Sequence, residues 1–149
     1  MDKLEDKMNR WKSCIKSTFL FVLLINVNLV AQTAVIVHKD VMVDSVDALE
    51  LDQIYTLFLT KWNGDQPVIV FFPKYNEKLQ KSLFGTIHRK SIELKRVWLR
   101  KKLTGEATPP IAINSTEEML EKVSTTPGSI GLIDAKKVTK AVKVVAIFP

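Results

Sequence analysis

The chain has 149 residues, with 22 Lys and Arg against 16 Asp and Glu, a net charge of +6 with neutral histidines, and a single cysteine. That length suits one domain of common size. One thiol excludes a disulfide framework and a thiolate metal site, and a mild basic excess favours anionic envelope surfaces or small anions while giving little support to nucleic acid.

Residues 1–31 read as a leader rather than as part of the fold. Lys3, Lys7, Arg10, Lys12 and Lys16 outnumber Asp2, Glu5 and Asp6, residues 18–30 carry no charge, and Leu29-Val30-Ala31 ends on a small side chain. A basic region, a short apolar region and a small-residue exit describe a secretory signal peptide. The apolar run falls short of the roughly 20 residues that a membrane-spanning helix needs. Cleavage after Ala31, or after Thr33, removes Cys14 and leaves residues 32–149 as a single domain.

Residues 33–38, Thr-Ala-Val-Ile-Val-His, are a β-branched run and the expected first strand. His38 at its end reads as a solvated or hydrogen-bonded histidine rather than a ligand. Over residues 48–59, Leu51, Ile54, Leu57 and Phe58 recur at helical spacing, with Asp47 or Glu50 at the cap. Asn63-Gly64 is a turn dipeptide. Residues 66–72 are apolar on both faces, which predicts an interior strand of a sheet covered on both sides.

Asn76 is placed to cap a helix running to about His88, with Leu79, Leu83, Phe84 and Ile87 as its buried face. Residues 91–103 form a further helix with Leu94, Val97 and Trp98 inward. Its Lys95, Arg96, Arg100, Lys101 and Lys102 suit a helix C-terminus and a solvated face. No aromatic stacking set accompanies them, so they do not make a nucleic-acid patch. Gly105 ends this helix, and Pro109-Pro110 forces an extended connection. Ser115 and Glu118 form an S-x-x-E capping box, with the glutamate expected to reach back to the cap amide. Met119, Leu120 and Val123 are the buried face of that helix. Pro127 stops it, Gly128 supplies a positive φ, and residues 129–133 are a buried strand. Gly131 within the strand implies close approach of another backbone or a ligand. Residues 142–148 close the chain as a last strand.

Three segments carry a family resemblance. Thr126-Pro-Gly-Ser-Ile-Gly131 resembles the "TPG(A/S)IGY" corner of periplasmic phosphate-binding proteins, the solute receptors of ABC importers. Leu57-Phe-Leu-Thr-Lys-Trp62 is similar to their "IFLGK…W" signature, with Thr60 where glycine is usual and a shortened gap before the tryptophan. Trp98, Leu103-Thr104-Gly105 and Pro109-Pro110 resemble the "W…FTG…P" pattern of short relatives. The resemblance spans roughly residues 34–134. It implies an α/β domain, a three-layer mixed sheet flanked by helices, like one lobe of a type II periplasmic binding protein. A full receptor closes two such lobes over its ligand, so this chain would lack the second wall of the cleft.

The resemblance also marks a departure. Phosphate receptors follow the strand at 66–72 with an arginine and a Ser-Gly-Thr loop that opens a helix and holds the anion. Here Pro73-Lys-Tyr-Asn-Glu-Lys-Leu79 stands in that place. Lys74, Tyr75 and Asn76 at this corner, with Thr126, Gly128 and Ser129 at the other, are the candidate ligand-binding residues. Against them, Glu77 in the first turn already satisfies the helix dipole and repels an anion. No Ser-His-Asp ordering, metal-ligand spacing or phosphate-cradling glycine loop is present, so no catalytic residue, metal or cofactor is expected. What the resemblance implies is an exported, periplasmic, non-catalytic protein like the substrate-binding component of a phosphate ABC transporter. Its ligand would be a phosphate-like anion held weakly. The alternative is an envelope scaffold that keeps the fold and binds a protein partner. A third reading is a basic nucleic-acid binder in the cytoplasm, an enzyme is the least supported class, and no integral membrane role remains once the leader is cut.

Overall fold

Alternation along the strands builds the layers. In the computed structural model, which describes residues 31–149, strand β1 (Thr33–Val37) sends Val35 and Val37 into one buried cluster and Ala34 and Ile36 into another. Strand β2 (Ile69–Pro73) divides Val70 and Phe72 from Phe71, and strand β4 (Ser129–Asp134) divides Ile130 and Leu132 from Ile133 in the same way. Strands buried on both faces need helices on both faces. Helices α1 (Ala48–Tyr55), α2 (Glu77–Thr86) and α3 (Ser91–Thr104) supply the first layer through Leu51, Ile54, Leu83 and Leu94. Helix α4 (Thr116–Thr125) supplies the second through Met119 and Val123. The leader expected over residues 1–31 lies, but for Ala31, outside the described residues.

Among the described residues the sheet has five strands in the order β3-β2-β4-β1-β5, with β3 at Ile111–Ile113 and β5 at Lys143–Phe148. β2 runs parallel to both β3 and β4, whereas β1 is antiparallel to β4 and β5. This is the mixed three-layer α/β architecture expected from the sequence. The β1–β5 ladder is broken by a register shift between Val35 and Ile36. A short 3-10 turn (Ala135–Lys137) links β4 towards β5.

Several expectations are corrected. β3 was not foreseen. Three residues after Pro109-Pro110 are too few to show a period, yet they pair with β2 from Phe71↔Ile111 to Pro73↔Ile113. The strand expected from Gln66 begins at Ile69, because Gln66 and Pro67 fold back on Lys61 and Trp62, whose amide donates to Gln66 O at 2.8 Å. Helix α1 stops at Tyr55 rather than near residue 59. Leu57 enters the left-handed region at φ 59°, and its amide donates to Ile54 O while that of Phe58 donates to Gln53 O. These two bonds are the Schellman closure, usually built on glycine. Leu57 accepts the left-handed conformation and buries its side chain in the core.

The same closure ends α2 at His88 (φ 52°) and α3 at Gly105 (φ 71°). Helix α3 also completes the end of α1. The Trp98 indole donates to Tyr55 O at 2.6 Å and the Lys101 ammonium to Leu57 O at 2.7 Å, satisfying carbonyls that a helix end leaves free. Gly131 makes room neither for a backbone nor for a ligand. A β-carbon there would stand 2.5 Å from Met119 Sδ and 3.1 Å from Val123 Cγ2, so the missing side chain is what lets α4 pack on the sheet.

Candidate functional site

The parallel strands β2 and β3 end side by side, and each turns into a helix. Lys74 N donates to Ile113 O at 3.0 Å, locking the two exits together. Asn76 then caps α2, its side-chain oxygen accepting from Lys78 N at 3.0 Å and Leu79 N at 3.3 Å. Ser115 caps α4 by accepting from Glu118 N at 3.0 Å. The reciprocal half of the expected capping box is displaced by one residue, since the Glu118 carboxylate accepts from Asn114 N at 2.9 Å and not from the cap amide. Thr116 Oγ1 donates to Tyr75 Oη at 3.2 Å, stitching one helix start to the other. Burial pushes the Tyr75 phenol pKa up, with the Thr116 bond acting in the opposite sense. Gln80 closes the turn from below, donating to Pro73 O at 2.9 Å and Lys74 O at 3.2 Å.

The electrostatics of this end are mixed but mainly positive. Lys74 and Lys78 are exposed, and Lys81 lies 4.0 Å from the Glu77 carboxylate in a fully solvated pair. Lys78 and Lys81 line a cavity of about 390 Å³ together with Thr33, Ser82 and Asp134. Thr33 Oγ1 donates to Ser82 Oγ at 3.0 Å, and Ser82 in turn bonds Pro149 O. Sequence reasoning passed over Lys78, Lys81, Ser82 and Thr33. The two lysines look like an ordinary solvated helix face, and only the sheet order brings the start of β1 beside α2.

Asn76 has a consequence for anion binding. A helix N-terminus holds an anion through free amides in its first turn. Here a neutral side-chain oxygen occupies the amides of Lys78 and Leu79, and Glu77 adds a negative charge at the same turn. The cradle that a Ser-Gly-Thr loop would offer is filled from within.

The second group of expected residues lies elsewhere. Ile69 pairs with Ser129 in the parallel β2–β4 ladder, so the corner at Thr126, Gly128 and Ser129 sits where β2 begins. Lys74, Tyr75 and Asn76 sit where it ends, about 16 Å away at the rise of a five-residue strand. The fold therefore does not bring the six residues into one site. At the Pro-Gly corner the polar groups are already engaged in the fold. Gly128 O accepts from the Trp62 indole at 2.8 Å and from Ile69 N at 3.1 Å. Ser129 is buried, its hydroxyl donating to Val123 O at 3.2 Å and its carbonyl accepting from His38 N at 3.0 Å. Thr126 serves as the cap of α4.

Among the described residues, no group of three or more His, Cys, Asp or Glu side chains is placed to hold a metal ion. Nor is any described helix long and apolar enough to cross a membrane.

No protein-family model matches the chain, and no curated protein matches it significantly in sequence. Solved structures do match the fold. A phosphate ABC transporter substrate-binding protein from Clostridium perfringens, with bound phosphate, superposes with a TM-score of 0.63 at 20% identity over 77% of this chain and 45% of that one. An ABC-type phosphate transport receptor from Vibrio cholerae gives 0.52 at 20% identity over 77% and 46%. PstS from Borrelia burgdorferi gives 0.57 at 16% identity over 78% and 47%. The chain thus has the fold of about half a phosphate receptor, spanning less than half the length of each.

Proposed function

We propose that the chain is a non-catalytic binding protein of the phosphate-receptor type, working in the periplasm after loss of residues 1–31. In this reading it takes a small phosphate-like anion, weakly, at the end of the sheet where β2 and β3 give way to α2 and α4. The observation that carries it is the grouping of Lys74, Lys78 and Lys81 around the start of α2, at the same end as the hydroxyls of Thr33 and Ser82. With one lobe, the ligand keeps an open side to solvent, so affinity falls in the millimolar range.

Titration of the full chain with phosphate, followed by amide chemical shifts, tests this. The expected result is saturable shifts confined to residues 74–82, weakened by salt and abolished in Lys74→Glu/Lys78→Glu. Absence of any response would rule the reading out. N-terminal sequencing of the exported protein tests the leader: a mature chain starting after Ala31, with Thr33 kept, is expected, and retention of residues 1–31 contradicts export with cleavage.

A second reading is favoured by one observation, the occupation of the Lys78 and Leu79 amides by Asn76. It makes the chain an envelope interaction module that kept the fold and gave up the ligand. Asn76→Gly frees both amides while leaving a tolerated cap residue. If phosphate binds only to that variant, the native chain has lost its ligand and the interaction module stands.

A further inference from the structure

Helix α3 carries a second apolar ridge on the side turned away from the core. At about 100° per residue, Ile92, Leu99 and Leu103 fall within an arc of about 40°, opposite the inward Leu94 and Lys101. The three side chains are 54%, 58% and 77% exposed. Four exposed cations flank the ridge, Lys95 and Lys102 along one side, Arg96 and Arg100 along the other. None of the ion pairs among the described residues involves these four. On the Arg100 side, Phe58 and Leu49 share with it a depression of about 550 Å³ between α1 and α3, and Phe58 is itself 77% exposed. Cations in the last turn of a helix answer its dipole. That accounts for Lys102, but not for Lys95, Arg96 and Arg100 further back, nor for three large apolar side chains in line.

We propose that this face of α3 rests on an anionic lipid surface. Ile92, Leu99 and Leu103 enter the boundary between headgroups and acyl chains, while the two cationic rows lay their stems along it and reach the phosphates. The charge of this face selects the occupant. A second copy packed ridge to ridge would bring the same four cations against themselves, an isologous contact that repels. The apolar side chains and the cations run in parallel rows along the helix, an arrangement that a fluid planar surface meets along its whole length. Its cations match a negative headgroup layer.

Sedimentation of the full-length chain with vesicles of phosphatidylcholine alone, and of phosphatidylcholine mixed equally with phosphatidylglycerol, tests the proposal. Binding to the mixed vesicles is expected to exceed binding to neutral ones by about tenfold or more and to fall with salt. Lys95→Gln/Lys102→Gln should remove most of that preference, and Leu99→Glu/Leu103→Glu should remove binding to the mixed vesicles by about tenfold or more. All four positions point outward, and circular dichroism of each variant confirms that the fold is kept. Residues 1–31 are the same in every chain, so variants that bind like the parent would place the interaction there and overturn the proposal. Failure of the parent to bind mixed vesicles overturns it as well. So does capture of the chain by an acidic helical peptide without any vesicle binding, which would assign the ridge to a protein partner.

Discussion

The indole N–H of Trp62 donates to the carbonyl oxygen of Gly128 at 2.8 Å, a buried bond between residues 66 positions apart. It joins the Leu57–Trp62 segment to the Thr126–Gly131 corner, two of the three stretches that resemble phosphate receptors. Gly128 cannot easily be replaced here. Its φ is 75°, and a β-carbon would collide with the carbonyl of Pro67. Gly128→Ala is therefore expected to destabilise the fold by about 3 kcal/mol or more. Trp62→Phe should cost less, about 1–2 kcal/mol, because Gly128 O keeps its bond from Ile69 N and is not left unpaired. Urea unfolding of both variants checks the order, and an equal loss would show that the indole bond rather than the backbone dominates the corner.

The three Schellman closures make a matched experiment. Leu57, His88 and Gly105 occupy the same left-handed position, but Leu57 is buried and His88 exposed. Glycine relieves the steric cost of that conformation. His88→Gly should therefore raise stability by about 0.5–1 kcal/mol. Leu57→Gly should lower it by about 2–3 kcal/mol, since loss of a buried leucine outweighs the same relief. Thermal melts with opposite shifts of Tm are the expected outcome.

Tyr55 links stability to alkaline pH. Its phenol is fully buried and donates to Phe71 O at 3.1 Å, and burial holds its pKa far above the ordinary value. A group whose folded pKa is raised contributes its full stabilisation below the unfolded value of about 10 and loses it as pH climbs beyond. Unfolding should accordingly become easier above about pH 10. Tyr55→Phe should flatten that slope and cost about 1 kcal/mol at neutral pH. With only two tyrosines in the chain and both shifted upward, ultraviolet titration of the native protein should show phenolate forming at higher pH than in the unfolded chain.

At the other end of the sheet, Tyr75 and Thr116 hold the starts of α2 and α4 together. A double-mutant cycle with Tyr75→Phe and Thr116→Val is expected to give a coupling of about 0.5–1 kcal/mol. A coupling near zero would mean that the backbone bond from Lys74 to Ile113 alone aligns the two exits.

Much of the architecture was legible because it is written locally. Ser115, Asn76, Gly105 and Gly128 each do what their chemistry favours, and the doubly apolar runs at 69–73 and 129–133 can only be covered strands. What escaped depends on distant partners. The early end of α1 follows from Leu57 finding the core and from Trp98 and Lys101 receiving the freed carbonyls. β3 exists because β2 offers an edge to three residues. The two candidate corners look alike in sequence, each a polar turn beside a helix end. Only the parallel pairing of Ile69 with Ser129 reveals that they stand at opposite ends of the sheet.

The borders of that sheet bear on how the molecule behaves in a crowd. One margin is a three-residue strand preceded by two prolines, which have no amide to donate, and the other is interrupted by the irregularity opposite Val35 and Ile36. Among the described residues, neither margin offers a long, flat row of open hydrogen-bonding groups to a neighbouring molecule. A chain finished in this way resists templated fibre growth, so its native form should stay dispersed at concentrations where a smoother-edged sheet would precipitate.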